Sequence, residues 1–150
     1  MYTTNQLNYL LEHIASMLDK QSDQVLQEQL GIGLSQFKIL RALLAEPRTT
    51  QKQIAQTLGQ TEAIISRQVK LMIARGYLHS LRSTGDRREH ITTVTLKGER
   101  LAEAAKSALG RYHRPTFAAL SDKQHEQLAA ALEVIHRQIC RDLHTKPSAE

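Results

Sequence analysis

Tryptophan is absent from this 150-residue chain, and cysteine occurs once, at Cys140. A single thiol excludes an intrachain disulfide framework. Aromatic residues make up only 4%, so a core has to be assembled from Leu, Ile, Val and Ala, which suits helices. There is no run of eighteen apolar residues and no charged-then-apolar leader, so neither a spanning helix nor secretion is expected. The reading is of a cytoplasmic protein with no membrane partner. No Ser/His/Asp set, phosphate-cradling glycine loop or paired carboxylates stands out, so neither an enzyme nor a cofactor is expected. What remains is ordinary: 41% hydrophobic and 23% charged residues, seven Gly and three Pro, a globular composition on a chain long enough to bury a core.

The formal net charge is +5, which permits a nucleic-acid partner without requiring one. Its distribution is more informative. Residues 1–34 carry one basic and four acidic side chains, residues 35–100 twelve and five, and residues 101–150 seven and six. Positive charge is thus concentrated in the central third.

Apolar spacing predicts a long helix over 4–29 through Leu7, Leu10, Leu11, Ile14, Leu18, Val25 and Leu26, with Gly31 and Gly33 breaking it. Ser35 is the predicted N-cap of a helix from Gln36 to Ala45, with Phe37, Leu40 and Leu44 inward and Glu46-Pro47 ending it. Thr50 is expected to cap a short helix, Gln51 to Leu58, with Ile54, Ala55 and Leu58 inward. After a turn at Gly59, Thr61 caps a further helix that runs to about Arg75 and stops at Gly76. Tyr77–Arg82 and His90–Leu96 read as strands around a polar, basic turn from Ser83 to Arg88. A fifth helix is expected after Lys97-Gly98, carrying Leu101, Ala104, Ala105, Ala108 and Leu109, with Gly110 and Pro115 weakening or kinking it. Ser121 and Gln124 form a capping-box pattern ahead of a last helix striped by Leu128, Leu132, Ile135, Ile139 and Leu143. The tail from Thr145 reads as frayed.

The centre of the chain combines three features that suit double-stranded DNA. On the fourth helix Ile65, Val69 and Met72 share one side, while Gln60, Ala63, Arg67, Lys70 and Ala74 fall opposite, with Ser66 beside them. The inner set locks the helix down. Small residues near its start, Ala63 and Ser66, let it approach base edges, Thr61 and Glu62 of the first turn join the candidate DNA contacts, and Arg67 and Lys70 supply charge for guanine edges or phosphates. A short helix precedes it across a glycine turn, offering Gln51, Lys52 and free backbone N–H groups as a phosphate clamp. The hairpin tip then carries Asp86, Arg87 and Arg88, where an arginine can reach the backbone or the minor groove. An ordinary solvated helix or turn would explain any one feature; three in this order favour a helix-turn-helix with a β-wing.

The run IAQTLG…IISRQVKLMIARGYL followed by STGDRREHITTVTLKG resembles the MarR family of bacterial transcription regulators. Asp86-Arg87-Arg88 and Thr95-Leu96 before Lys97-Gly98 match that family's most specific stretch. The resemblance covers nearly all the chain, specific in the centre and topological at the ends. It implies a mainly α fold with a small antiparallel β-wing: a winged helix-turn-helix flanked by N- and C-terminal dimerisation helices. Residues 1–34 would form the N-terminal dimerisation helix, 35–97 the DNA-binding lobe, and 98–150 the C-terminal dimerisation helices. A homodimer is implied, with two lobes reading half-sites of a pseudo-palindrome about 10 base pairs apart. The apolar stripes of the first and last helices are also too large to cover within one chain. The implied activity is sequence-specific transcription regulation, as a ligand-responsive repressor. Two departures stand out: Gln60 sits where the family more often has an apolar residue, and Pro115 falls in a helix that is usually unbroken.

A small-molecule effector is the family's common input, and Leu10, His13, Ile14 and Met17 are candidates to line its site, although core packing is the preferred reading of all four. The seven histidines are scattered. His136 and Cys140, four apart on one helix face, are the only local pair with ligand character, and two ligands close no metal site. Cys140 reads as a small hydrophobe rather than a redox switch. The alternatives to a specific regulator are a winged-helix protein-interaction module and an architectural DNA binder without sequence preference.

Overall fold

The computed structural model describes residues 1–82 and 90–144. Its elements follow the order α1 (Thr4–Leu30), α2 (Leu34–Ala45), α3 (Gln51–Leu58), α4 (Glu62–Ala74), β1 (Leu78–Arg82), β2 (His90–Val94), α5 (Leu96–Ala118) and α6 (Asp122–His144). The fold is mainly helical with one two-stranded antiparallel sheet, as the sequence predicts. The tip between the strands and residues 145–150 lie outside the described part.

Local chemistry sets most helix ends. At α1, Thr3 Oγ1 accepts from the Gln6 N–H at 3.3 Å while Gln6 Oε1 accepts from the Thr3 N–H at 2.8 Å, a capping box that occupies two of the orphan donors of the first turn. The helix ends at Gly31 in the left-handed region, φ 65°. At α3 the same box forms between Thr50 and Gln53, and at α6 between Ser121 and Gln124. Thr61 caps α4 by accepting from the Ile64 N–H at 3.3 Å.

Two starts differ from the sequence reading. Ser35 is not the cap of α2. Gly33 holds the N-cap position with no side-chain bond, and Asp23 of α1 accepts from the Leu34 N–H at 2.9 Å instead. A carboxylate eleven residues upstream does the capping, which releases the Ser35 hydroxyl. The second strand also stops at Val94 rather than continuing to Leu96. Thr95 turns the chain: its Oγ1 accepts from the Gly98 N–H at 3.1 Å and donates to the Gly76 carbonyl at 2.6 Å. Helix α5 therefore starts at Leu96, and Lys97 and Gly98 lie inside its first turn. Tyr77 falls outside β1 because its N–H is spent on the Met72 carbonyl at 2.9 Å.

Helix α5 runs uninterrupted through Gly110 and Pro115, so neither residue ends it. A helical glycine costs only about 1 kcal/mol against Ala, and a proline deletes a single N–H donor.

The chain divides into two compact units, residues 1–112 and 113–150. In the first, one cluster joins Ile39, Leu40 and Leu43 of α2, Ile54 and Ala55 of α3, Ile65, Val69 and Met72 of α4, Leu78 and Ala102. A second joins Leu26, Ile32, Phe37 and Ala105, with Tyr77 and Leu101 packed against both. Because α2 faces two clusters, it buries Phe37 on one side and Ile39, Leu40 and Leu43 on the other. Leu44, predicted to point inward, is 41% exposed. On α5 the buried alanines are Ala102, Ala105 and Ala108; Ala104, grouped with Ala105 and Ala108 in the sequence, is exposed.

The first four turns of α1 bury nothing within the chain. Leu10, Ile14 and Met17 are all more than 40% exposed and His13 is exposed, so the core role preferred for them is incorrect. In the second unit, Leu128, Leu132, Ile135 and Ile139 of α6 are likewise exposed.

Candidate nucleic-acid interface

The helix-turn-helix is built as its apolar spacing predicts. Gly59, with φ 63°, takes the left-handed conformation that a Cβ would oppose, and so lets α4 leave α3 at a sharp turn. Ile65, Val69 and Met72 are each at most 1% exposed. Burying three such side chains contributes about 1.5–3 kcal/mol apiece, which holds the helix against α2 and α3.

The opposite face is open. Ala63, Arg67, Lys70 and Ala74 are exposed, as are Thr61 and Glu62, while Ser66 is half-buried. Arg67, Lys70 and Lys52 have no ion-pair partner among the described residues. Unneutralised cations flanking small side chains on an outward helix face can lie in a major groove and donate to guanine edges or phosphates. Glu62 carries the opposite sign in the first turn of α4. A carboxylate suits that helix end electrostatically and, in a groove, can only accept hydrogen bonds, as from a cytosine amino group.

At the start of α3, Gln51 is half-buried and Lys52 exposed. The Thr50 box takes up the Gln53 N–H, leaving the first two amides of the helix without intrahelical acceptors. That is an anion-binding arrangement with a lysine beside it.

The wing is an antiparallel ladder in the register Leu78↔Val94, His79↔Thr93, Ser80↔Thr92, Leu81↔Ile91 and Arg82↔His90. Leu78 and Thr92 are buried, so the ladder is anchored on the core at its base. Asp86, Arg87 and Arg88, assigned to DNA from the sequence, lie outside the described residues.

Several polar side chains, in bonds that the sequence does not foretell, hold this surface in place. Gln60 fills the inter-helix turn with its N–H on the Ala55 carbonyl at 3.0 Å, and its Oε1 accepts from the Ser35 hydroxyl at 3.2 Å. The unusual residue in the turn is thus explained: it replaces apolar packing with a bond to α2. Gln36 Nε2 donates to Gln68 Oε1 at 3.0 Å. At the end of α4, Arg75 donates to the Gly31 carbonyl at 3.2 Å. Lys97 Nζ donates to the Arg75 carbonyl at 2.8 Å and stands 4.9 Å from the centre of the Tyr77 ring. No spacing in the sequence marks these pairs, which join residues 22 to 44 positions apart.

Elsewhere, Cys140 Sγ lies 3.4 Å from His136 Nε2 on α6. Among the described residues no group of three or more His, Cys, Asp or Glu gathers to hold a metal. No helix among them is long and apolar enough to cross a membrane.

A short helix, a glycine turn, a second helix with a buried and an open face, and a β-ladder beside it define a winged helix-turn-helix. Residues 30–89 match the family model described as MarR family. Over these residues, which run from the end of α1 past β1, the chain is similar to the MarR family. It is 26% identical over 107 residues to the HTH-type transcriptional regulator BilQ of Clostridium symbiosum (strain WAL-14163), spanning 71% of this chain and 73% of that protein. Its fold is similar to that of apo wild-type MarR from E. coli, with a TM-score of 0.78 at 19% identity over 86% of this chain and 96% of that one. It is also similar to S. aureus MepR in a structure of its complex with DNA, with a TM-score of 0.71 at 25% identity over 93% and 99% of the two chains.

Proposed function

We propose that this protein is a sequence-specific, DNA-binding transcription regulator that acts as a homodimeric, ligand-responsive repressor in the cytoplasm. The observation that carries the reading is the division of α4 into a fully buried face, Ile65, Val69 and Met72, and an open face bearing Ala63, Arg67 and Lys70 with no acidic partner among the described residues. Gln51 and Lys52 at the start of α3 clamp a phosphate, and Arg87 and Arg88 of the wing reach the flanking backbone or minor groove. The solved complex of MepR with DNA supports the assignment by analogy of fold.

Residues 35–97 serve as the reading lobe, and residues 1–34 and 98–150 as the dimerisation parts. The exposed apolar side chains of α1 and α6 support this division, because a soluble chain rarely leaves such stripes open to water. Two lobes related by a two-fold axis would engage successive major grooves of a pseudo-palindrome and exclude polymerase by occupancy. A small molecule that prefers one spacing of the lobes would relieve the block.

Selection of bound duplexes from a random-sequence pool tests the reading. A two-fold symmetric consensus with half-sites about one helical turn apart is the expected result. Recovery of unenriched sequence would point to an architectural binder, and no recovery at low salt to a protein-interaction module; either outcome overturns the proposal.

A further inference from the structure

Gly31, just after α1, and Gln36, in the first turn of α2, hold α4 at two points away from its open face. Near the helix end, Arg75 reaches the Gly31 carbonyl. At mid-helix, Gln36, only 7% exposed, donates Nε2–H to Gln68 Oε1 at 3.0 Å. This second grip is a poor device for stability alone. Gln36 Oε1 is buried with no partner among the described residues. Leaving a polar atom dry is unfavourable, whereas replacing both partners with apolar groups of similar shape can be neutral or stabilising. The apolar contacts of Ile65, Val69 and Met72 are non-directional, so they keep α4 buried while tolerating small rotations about its axis. An amide–amide hydrogen bond has a set length and angle and does not.

We propose that Gln36 and Gln68 are positioning residues for DNA reading: their bond fixes the axial rotation of α4, and with it the aim of Ala63, Arg67 and Lys70. Gln68 directly follows Arg67 in the chain, so its tether holds the backbone from which the Arg67 side chain leaves. A rotation of about 10° moves a side-chain tip about 6 Å from the helix axis by about 1 Å. That displacement takes a hydrogen bond to a base edge out of range. Contacts to phosphates, made by flexible cations, tolerate it. The inference rests on the DNA-reading assignment above and adds that discrimination between sequences, rather than affinity in general, depends on this pair.

The test uses the full chain, the duplex recovered from the random pool by the wild type, and a scrambled duplex of equal length. The Q36M/Q68M double substitution should melt at or above the wild-type temperature. Its ratio of affinities for recovered over scrambled duplex should fall about tenfold, the size of one lost base readout. Affinity for the scrambled duplex and its salt dependence should not change, because no phosphate contact is removed. Gln68→Glu keeps an acceptor for Gln36 Nε2 and should retain the wild-type ratio, while Gln68→Met loses it; this pair decides the matter if the double variant fails to fold. An unchanged ratio in the methionine variants overturns the proposal. So does a loss of both affinities in step with a lowered melting temperature, which would make the pair merely structural. If the wild type recovers no duplex at all, the DNA-reading assignment and this role fall together. If it recovers a symmetric site and the variants discriminate equally well, only the positioning role is lost.

Discussion

Two glycines in α5 should respond to the same substitution with opposite signs. A Cβ built on Gly98 would strike the Tyr77 carbonyl oxygen and approach Val94 Cγ1 to 2.7 Å. The carbonyl cannot withdraw freely, since it accepts from the Thr95 N–H at 3.1 Å, at the junction where α4, the wing and α5 meet. One built on Gly110 meets nothing within 4 Å. Both sit inside a helix, where Ala is favoured over Gly by about 0.5–1 kcal/mol. At Gly110 that gain stands alone, and Gly110→Ala should raise Tm by about 1–4 °C. At Gly98 it is set against an overpacking cost of about 1–3 kcal/mol, at or beyond the upper end because the obstacle is backbone. A net loss of about 2 kcal/mol lowers Tm by about 4–8 °C for a chain of this size. Calorimetry at one fixed protein concentration measures both, since a dimer's Tm depends on concentration. A Gly98→Ala variant that melts at or above wild type would refute the close-packing argument, and so would parallel shifts of the two variants.

The remaining predictions concern DNA. Arg67→Ala should weaken binding to the recovered duplex by about tenfold or more, a single base contact being worth about 1–3 kcal/mol, while Arg137→Ala on α6 should leave it within about twofold. Equal effects in a titration by fluorescence anisotropy would remove α4 from the groove. Arg88→Ala, in the wing tip outside the described residues, should lower affinity and reduce the slope of log K against log salt by about one. An unaltered slope would take the wing off the phosphates.

What α1 and α6 leave open is as informative as what the reading lobe buries. An apolar stripe over the first four turns of α1 and another along α6 are exposed among the described residues. Leu10, Ile14 and Met17 show the trap. Their spacing is that of a packing face, and helical periodicity reports that a face is apolar without reporting which surface covers it. A partner copy of the chain is the occupant the proposed function assigns to them.

Much of the reading lobe was determined by short-range rules that the chain carries in its own order. The caps at Thr50 and Thr61, the left-handed Gly59 and the inward set Ile65, Val69 and Met72 are all set by neighbours within one or two turns. They could therefore be read from residue types and spacing alone. Tertiary structure decided the rest. Asp23 rather than Ser35 caps α2, because the end of α1 folds back within reach of the Leu34 N–H. Leu43 rather than Leu44 is buried, because α2 has two cores to serve and not one. Thr95 ends the wing two residues early, because its hydroxyl is needed by both Gly76 and the first turn of α5. Gln60, Gln36, Gln68 and Arg75 took on their roles only when residues 22 to 44 positions apart were brought within hydrogen-bonding distance. A hydrogen bond depends on where two atoms come to rest, and no local pattern encodes that. The order of residues thus set which face of α4 is buried and which is left open, and the fold set the hydrogen bonds that tie that helix to its neighbours.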